Sequence, residues 1–172
     1  MPIPSLPGFT AGEKVTAAKL NEHTKGAFES AVYFKPFCLL HQTAGQSVPT
    51  GTTAATMSLN AIVEDSDNMA DLANNRIVIR TAGLYRFTGQ VPFVTNGTGH
   101  RALRLYIGGG TSKAEVTMNA VTAAESRLNA SFYWRCSVGL SFTAGIVQTS
   151  GSALSTSTSG SPGFICAEWV SM

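Results

Sequence analysis

The chain has 172 residues, room for one domain of ordinary size with a core that folds without metals or disulfides. Charged residues are 13% of it against 44% hydrophobic, and the formal charge is +2. That balance excludes an electrostatic nucleic-acid footprint and favours an oligomer over a monomer with a largely uncharged surface.

Residues 1–15 hold three of the seven prolines, at positions 2, 4 and 7, with Gly8 and Gly12, and read as an extended arm without internal hydrogen bonds. Such an arm needs something to lie on. Thr16 can cap a helix from about Ala17 to Ala31, with Leu20, Ala27, Phe28 and Ala31 on one face and Glu22, Lys25 and Glu29 paired on the other. Gly26 costs that helix about 1 kcal/mol relative to Ala. The helix therefore needs neighbours, in its own domain or in other copies of the chain.

From Tyr33 onward the pattern changes to period two, which divides the chain into residues 1–32, arm and helix, and residues 33–172, a β domain. Strands are predicted near 33–41, 55–63, 76–81, 84–94, 101–107, 115–120, 130–141, 145–150 and 164–171, between clusters of Gly, Ser, Thr, Asn and Asp. In the clearest, Tyr85, Phe87, Gly89, Val91 and Phe93 face one way and Arg86, Thr88 and Gln90 the other. Leu103, Leu105 and Ile107 share a face, and Phe132, Trp134, Cys136, Val138 and Leu140 alternate with polar or small residues. Many short strands without intervening helices predict an all-β, two-sheet sandwich, with a jelly roll as the leading form. The stretch from Thr149 to Pro162, almost entirely Ser, Thr and Gly, is expected to be a surface loop.

Candidate chemistry is sparse. His23, His41 and His100 have no nucleophile motif beside them, so no catalytic residue is expected. Gly108-Gly109-Gly110 reads as a turn rather than a phosphate loop, and no cofactor is expected. Glu64, Asp65, Asp67 and Asp71 concentrate carboxylates, but the calcium-loop pattern with its glycine and terminal glutamate is not matched, so the expectation is a solvated loop and no metal. Cys38, Cys136 and Cys166 read as buried free thiols. Without a basic and apolar leader or any run near the ~20 apolar residues of a membrane span, the chain is expected to be made in the cytoplasm with no membrane partner. Outward aromatics Tyr106 and Tyr133 are candidates for an oligomer interface. Arg86, Arg104 and Arg135, on similar faces, are candidates for ion pairs between copies.

The run Ala82-Gly-Leu-Tyr-Arg-Phe-Thr-Gly-Gln-Val91 resembles the central signature of the globular heads of the first complement component and their tumour-necrosis-factor-like relatives. In that signature, Gly-x-Tyr-x-Phe is followed by a later Arg-x-Leu-x-Leu-like strand. Gly83, Tyr85 and Phe87 fill the signature places, and Arg101, Leu103 and Leu105 the later strand. The resemblance spans roughly residues 33–172 and implies a jelly roll that assembles as a compact homotrimer. The collagen-like stalk of the complement proteins is missing.

Residues 9–21, Phe-Thr-Ala-Gly-Glu-Lys-Val-Thr-Ala-Ala-Lys-Leu-Asn, resemble a segment found near the start of tail-appendage and other structural proteins of phages infecting actinobacteria. By analogy, residues 1–32, with Phe9, Val15, Leu20 and Phe28 as docking or oligomer contacts, attach the β domain to a virion or trimerise it. Two functions follow from the resemblances. One is a non-enzymatic capsid decoration or head-fibre protein bound to the shell, with the major capsid protein as partner. The other is a tail or baseplate appendage that binds a host surface glycan through the 149–162 loop and outward aromatics, with tail proteins as partners.

Overall fold

The computed structural model describes residues 35–172, together with positions 14, 16–18 and 21. The expected arm and most of the expected helix lie outside the described residues, as does the division of the chain at residue 32. In chain order the strands are β1 (Phe37–His41), β2 (Ser47–Val48), β3 (Gly51–Thr56), β4 (Ala61–Asp65) and β5 (Ala70–Asp71). A 3-10 turn at Leu72–Asn74 precedes β6 (Arg76–Val78), β7 (Gly83–Phe93), β8 (His100–Ile107) and β9 (Ala114–Asn119). The series ends with β10 (Ser126–Cys136), β11 (Ser141–Gln148), β12 (Leu154–Ser155) and β13 (Phe164–Ser171).

Two sheets face each other. One has the order β10-β7-β13-β1-β4; the other runs β5-β6-β11-β8-β9, with β3 also paired to β11, and β2 and β12 form a small ribbon. All the pairings are antiparallel. This is the expected all-β jelly-roll sandwich. Strict alternation along β7 explains why: Tyr85, Phe87, Val91 and Phe93 are fully buried, as are Leu103 and Leu105 on β8. Phe87 joins the layers, its ring centroid 4.7 Å from that of Phe142 on the other sheet and 5.3 Å from that of Phe132 on its own. Gly89 lets the sheets close, because a Cβ there would meet Leu105 Cδ2 at 2.6 Å.

Three expected elements are corrected. The strand read at 55–63 is two strands on different sheets, joined by the crossing segment Met57–Asn60, in which Met57 and Leu59 are buried. The strand read at 130–141 ends at Cys136, and residues 137–140 turn the chain at Gly139, φ +89°, with Val138 61% exposed. The stretch 149–162 is not simply a surface loop. Leu154, Thr156 and Ser157 are buried, β12 pairs with β2, and Ser157 N donates to Pro92 O at 2.8 Å. Hydroxyl-rich chain can be buried here because its polar groups find partners: Thr156 Oγ1 accepts from Gln46 N, and the Ser157 hydroxyl donates to Glu125 Oε1.

The strand directions sort the connections between two poles. At one, Lys35 and Pro36 lie beside the end of β13, with Trp169 N donating to Pro36 O at 2.9 Å. At the other lie residues 42–46, 94–99, 120–125 and 149–163. Arg101 organises this second pole. Fully buried, it donates from Nη1 to Thr98 O and His100 O and from Nη2 to Asn96 O, at 2.9–3.0 Å, while its guanidinium lies 5.9 Å from the Phe93 ring centre.

Candidate functional site

The signature residues are core residues. Tyr85 and Phe87 stack at 5.8 Å between centroids, and the Tyr85 hydroxyl donates to Thr81 O at 2.7 Å. Gly83 opens β7 rather than making a turn. Its place is dictated by close approach, since a Cβ there would press on Trp169 Nε1 and lie 2.6 Å from Ser171 O. These three residues build the sandwich.

The outward face of the five-stranded sheet is different. Side chains that alternate away from the core form rows across β10, β7, β13 and β1, fixed by register. The first row is Tyr133, Arg86, Glu168 and Phe37, and the second is Ser131, Thr88, Cys166 and Leu39. Gln90, Phe164 and His41 continue into a third row. Between them lies a groove of about 600 Å³, floored by Leu39, Val63, Phe164 and Cys166 and closed at one end by Gly160, Ser161 and Pro162. Val63 and Tyr133 are 53% and 60% exposed, and Val170, at 38%, lies farther along β13. A sheet face with this apolar floor is a surface that water covers at a cost.

Two opposite charges stand side by side in the first row of this face. Arg86 and Glu168 are directly opposed on β7 and β13, yet among the described residues neither makes an ion pair or a side-chain hydrogen bond. Both reach Cys166. Burial pushes its thiol up to about 11, Glu168 adds to the rise and Arg86 opposes it.

Other expected site residues are dispersed. Tyr106 lies on β8 of the opposite sheet, against Gly145, so it and Tyr133 do not belong to one patch. Arg104 pairs within the chain, with Glu115 at 3.2 Å. Arg135 lines a separate hollow with Gly83, Leu140 and Met172. Phe9, Val15, Leu20, Phe28 and His23 lie outside the described residues. His41 is on β1 and His100 on β8, where Nδ1 of His100 meets the Thr149 hydroxyl at 3.0 Å.

The acidic segment 64–71 is only partly a solvated loop. Asp65 accepts from Met69 N and Ala70 N, and Asp67, 3% exposed, accepts from the Thr81 hydroxyl. Asp71 is held below the usual carboxylate range by hydrogen bonds from Arg76, at 2.7 Å, and Asn74. Asp65, Asp67 and Asp71 thus face separate partners, and among the described residues no group of three His, Cys, Asp or Glu side chains could hold a metal ion. Cys38, Cys136 and Cys166 are free thiols, two buried and Cys166 partly so. Burial pushes Cys136 up to about 11 and raises Cys38 as well. Gly108, Gly109 and Gly110, with φ of +66° to +78°, form the turn after β8.

No protein-family model matches the chain, and no curated protein matches it by sequence. Solved structures do. Murine APRIL at pH 5.0 matches with a TM-score of 0.62 and 13% identity, over 79% of this chain and 99% of that one. The globular domain of the zebrafish complement 1qA protein gives 0.60 and 10%, over 79% and 97%. Eiger, a TNF from S. frugiperda, gives 0.60 and 9%, over 80% and 93%. At these identities the likeness is one of fold: the β domain is a jelly roll of the tumour-necrosis-factor and complement-head type.

Proposed function

We propose that the chain is a non-enzymatic structural protein of a bacteriophage virion, a homotrimer that decorates the capsid or forms a head fibre, held to the shell by residues 1–32. The observation that carries the trimer is the outward face of the five-stranded sheet, where an apolar groove and two unpaired opposite charges lie in register. A second copy is the occupant such a face suits, because its apolar floor needs cover and its charges complement each other. The resemblance of residues 9–21 to a segment near the start of phage structural proteins supports the virion setting, with a capsid or tail protein as partner. The engagement of His100 by Thr149, and of Asp65, Asp67 and Asp71 by separate partners, supports a role without catalysis.

Sedimentation equilibrium of the full chain is the first test: a species of three chains at micromolar concentration is expected, and a monomer there refutes the trimer. Reconstruction of whole virions tests the placement. Density for a small β trimer at lattice positions on the shell is expected. Density at the tail tip alone would overturn decoration in favour of an appendage that binds a host surface glycan.

A further inference from the structure

Resting on the trimer reading, we infer that Arg86 of one copy pairs with Glu168 of the next, so that three ion pairs between subunits close the ring. Register puts the two residues opposite each other on neighbouring strands, both outward and both exposed. Antiparallel partners at that spacing are within reach of each other, yet no ion pair forms between them in the single chain. Their neighbours in the same row are Tyr133 and Phe37, and the groove floor of Leu39, Val63, Phe164 and Cys166 lies beside them.

Covering that floor with a second copy strips water from both charges, which is unfavourable unless each meets an opposite charge. At this level the face carries one cation and one anion side by side, so near a threefold axis each can meet the opposite charge of a different neighbour. A head-to-tail contact brings Arg86 of one subunit to Glu168 of its neighbour, and in such a contact each copy uses both groups once, as ring closure requires. The apolar floor supplies the attraction, and the pair fixes rotation and register.

The test uses two single variants of the full chain, Arg86→Glu and Glu168→Arg, and the double variant that carries both changes. Each single variant presents like charges and is expected to dissociate at concentrations at least about tenfold above those at which wild type does. The double variant exchanges the charges, so all three contacts of the ring again join opposite signs, and it is expected to recover assembly. Two outcomes overturn the pairing while leaving the trimer standing: single variants that assemble like wild type, or a double variant that stays dissociated. Wild type that sediments as a monomer removes the trimer reading itself. If a reversed-charge chain loses its β-sheet circular dichroism, Arg86→Gln and Glu168→Gln replace it. Assembly of either must then lose most of wild type's sensitivity to added salt, and unchanged sensitivity overturns the pairing.

Discussion

Replacing Gly83 with alanine tests whether the opening of β7 is fixed by the close approach of β13. The added Cβ would press on Trp169 Nε1, lie 3.0 Å from Trp169 Cδ1 and 2.6 Å from Ser171 O, a backbone atom that cannot swing aside. Overpacking of this kind costs about 1–3 kcal/mol. The backbone at Gly83 has φ +153°, a region that side chains disfavour by about 1 kcal/mol or more. Displacing Trp169 also weakens its hydrogen bond from Nε1 to Ala82 O, 3.3 Å, worth about 1 kcal/mol. Against these, the unfolded chain with alanine loses some freedom, which returns about 0.4–1 kcal/mol. The net expectation is a loss of about 3 kcal/mol, equivalent to a fall in Tm of roughly 10 °C for a domain of this size. Urea unfolding followed by tryptophan fluorescence, at one fixed protein concentration, measures it. Gly109→Ala is the comparison, because φ there is +78° but nothing lies within 4 Å of the new Cβ, so only the backbone cost remains. If the two variants lose equal stability, contact with Trp169 and Ser171 does not explain Gly83.

Val63→Asp, at a residue 53% exposed in the groove, should leave the unfolding of one chain within about 0.5 kcal/mol of wild type while weakening self-association at least about tenfold by sedimentation. Arg101→Met strands the carbonyls of Asn96 and Thr98 and leaves that of His100 with Thr149 N alone; a loss of about 1–3 kcal/mol is expected, with the Thr98 and His100 amides exchanging at least about tenfold faster by hydrogen exchange. The thiols set an alkaline limit. Cys136 and Cys166 are raised from 9.0 to about 11 in the fold, so the unfolded chain loses those protons first. Their contribution is complete below pH 9 and is lost as pH climbs toward 11, and Tyr85 and Cys38 push the same way. Urea midpoints should fall over that range and fall less in Cys136→Ala; parallel curves for the two proteins would refute the assignment.

Strand β7 was legible because one face of it is buried without interruption, as Tyr85, Phe87, Val91 and Phe93 show. Boundaries were lost where alternation runs through a change of direction. Ala55, Met57, Leu59 and Ala61 keep period two while the chain passes from one sheet to the other, because both crossing residues stay in the core. Val138 kept the alternation going through a tight turn, and Gly139 was the residue that marked it. Polar composition misled at 154–157, where side-chain and backbone partners far along the chain make burial possible. The groove was only half visible. Tyr133 was singled out, but Leu39, Val63, Phe164 and Cys166 look like core residues in a sequence, and the pairing of β1 with β13 joins segments more than a hundred residues apart. A signal was present: Phe37-Cys-Leu-Leu40 and Phe164-Ile-Cys-Ala167 are apolar at every position, as strands covered on both faces tend to be.

Because Pro36 is bonded to Trp169, the first and last described strands begin and finish as neighbours at one pole, with the hydroxyl-rich segments at the other. This makes the β domain a natural candidate for circular permutation. A short Gly-Ser bridge from Met172 to Lys35, with the chain reopened at the exposed Gly151–Ser152, would leave β1, β13 and their register intact. The permuted domain would then be tethered from the opposite end, turning the surface that faced outward toward whatever it is attached to.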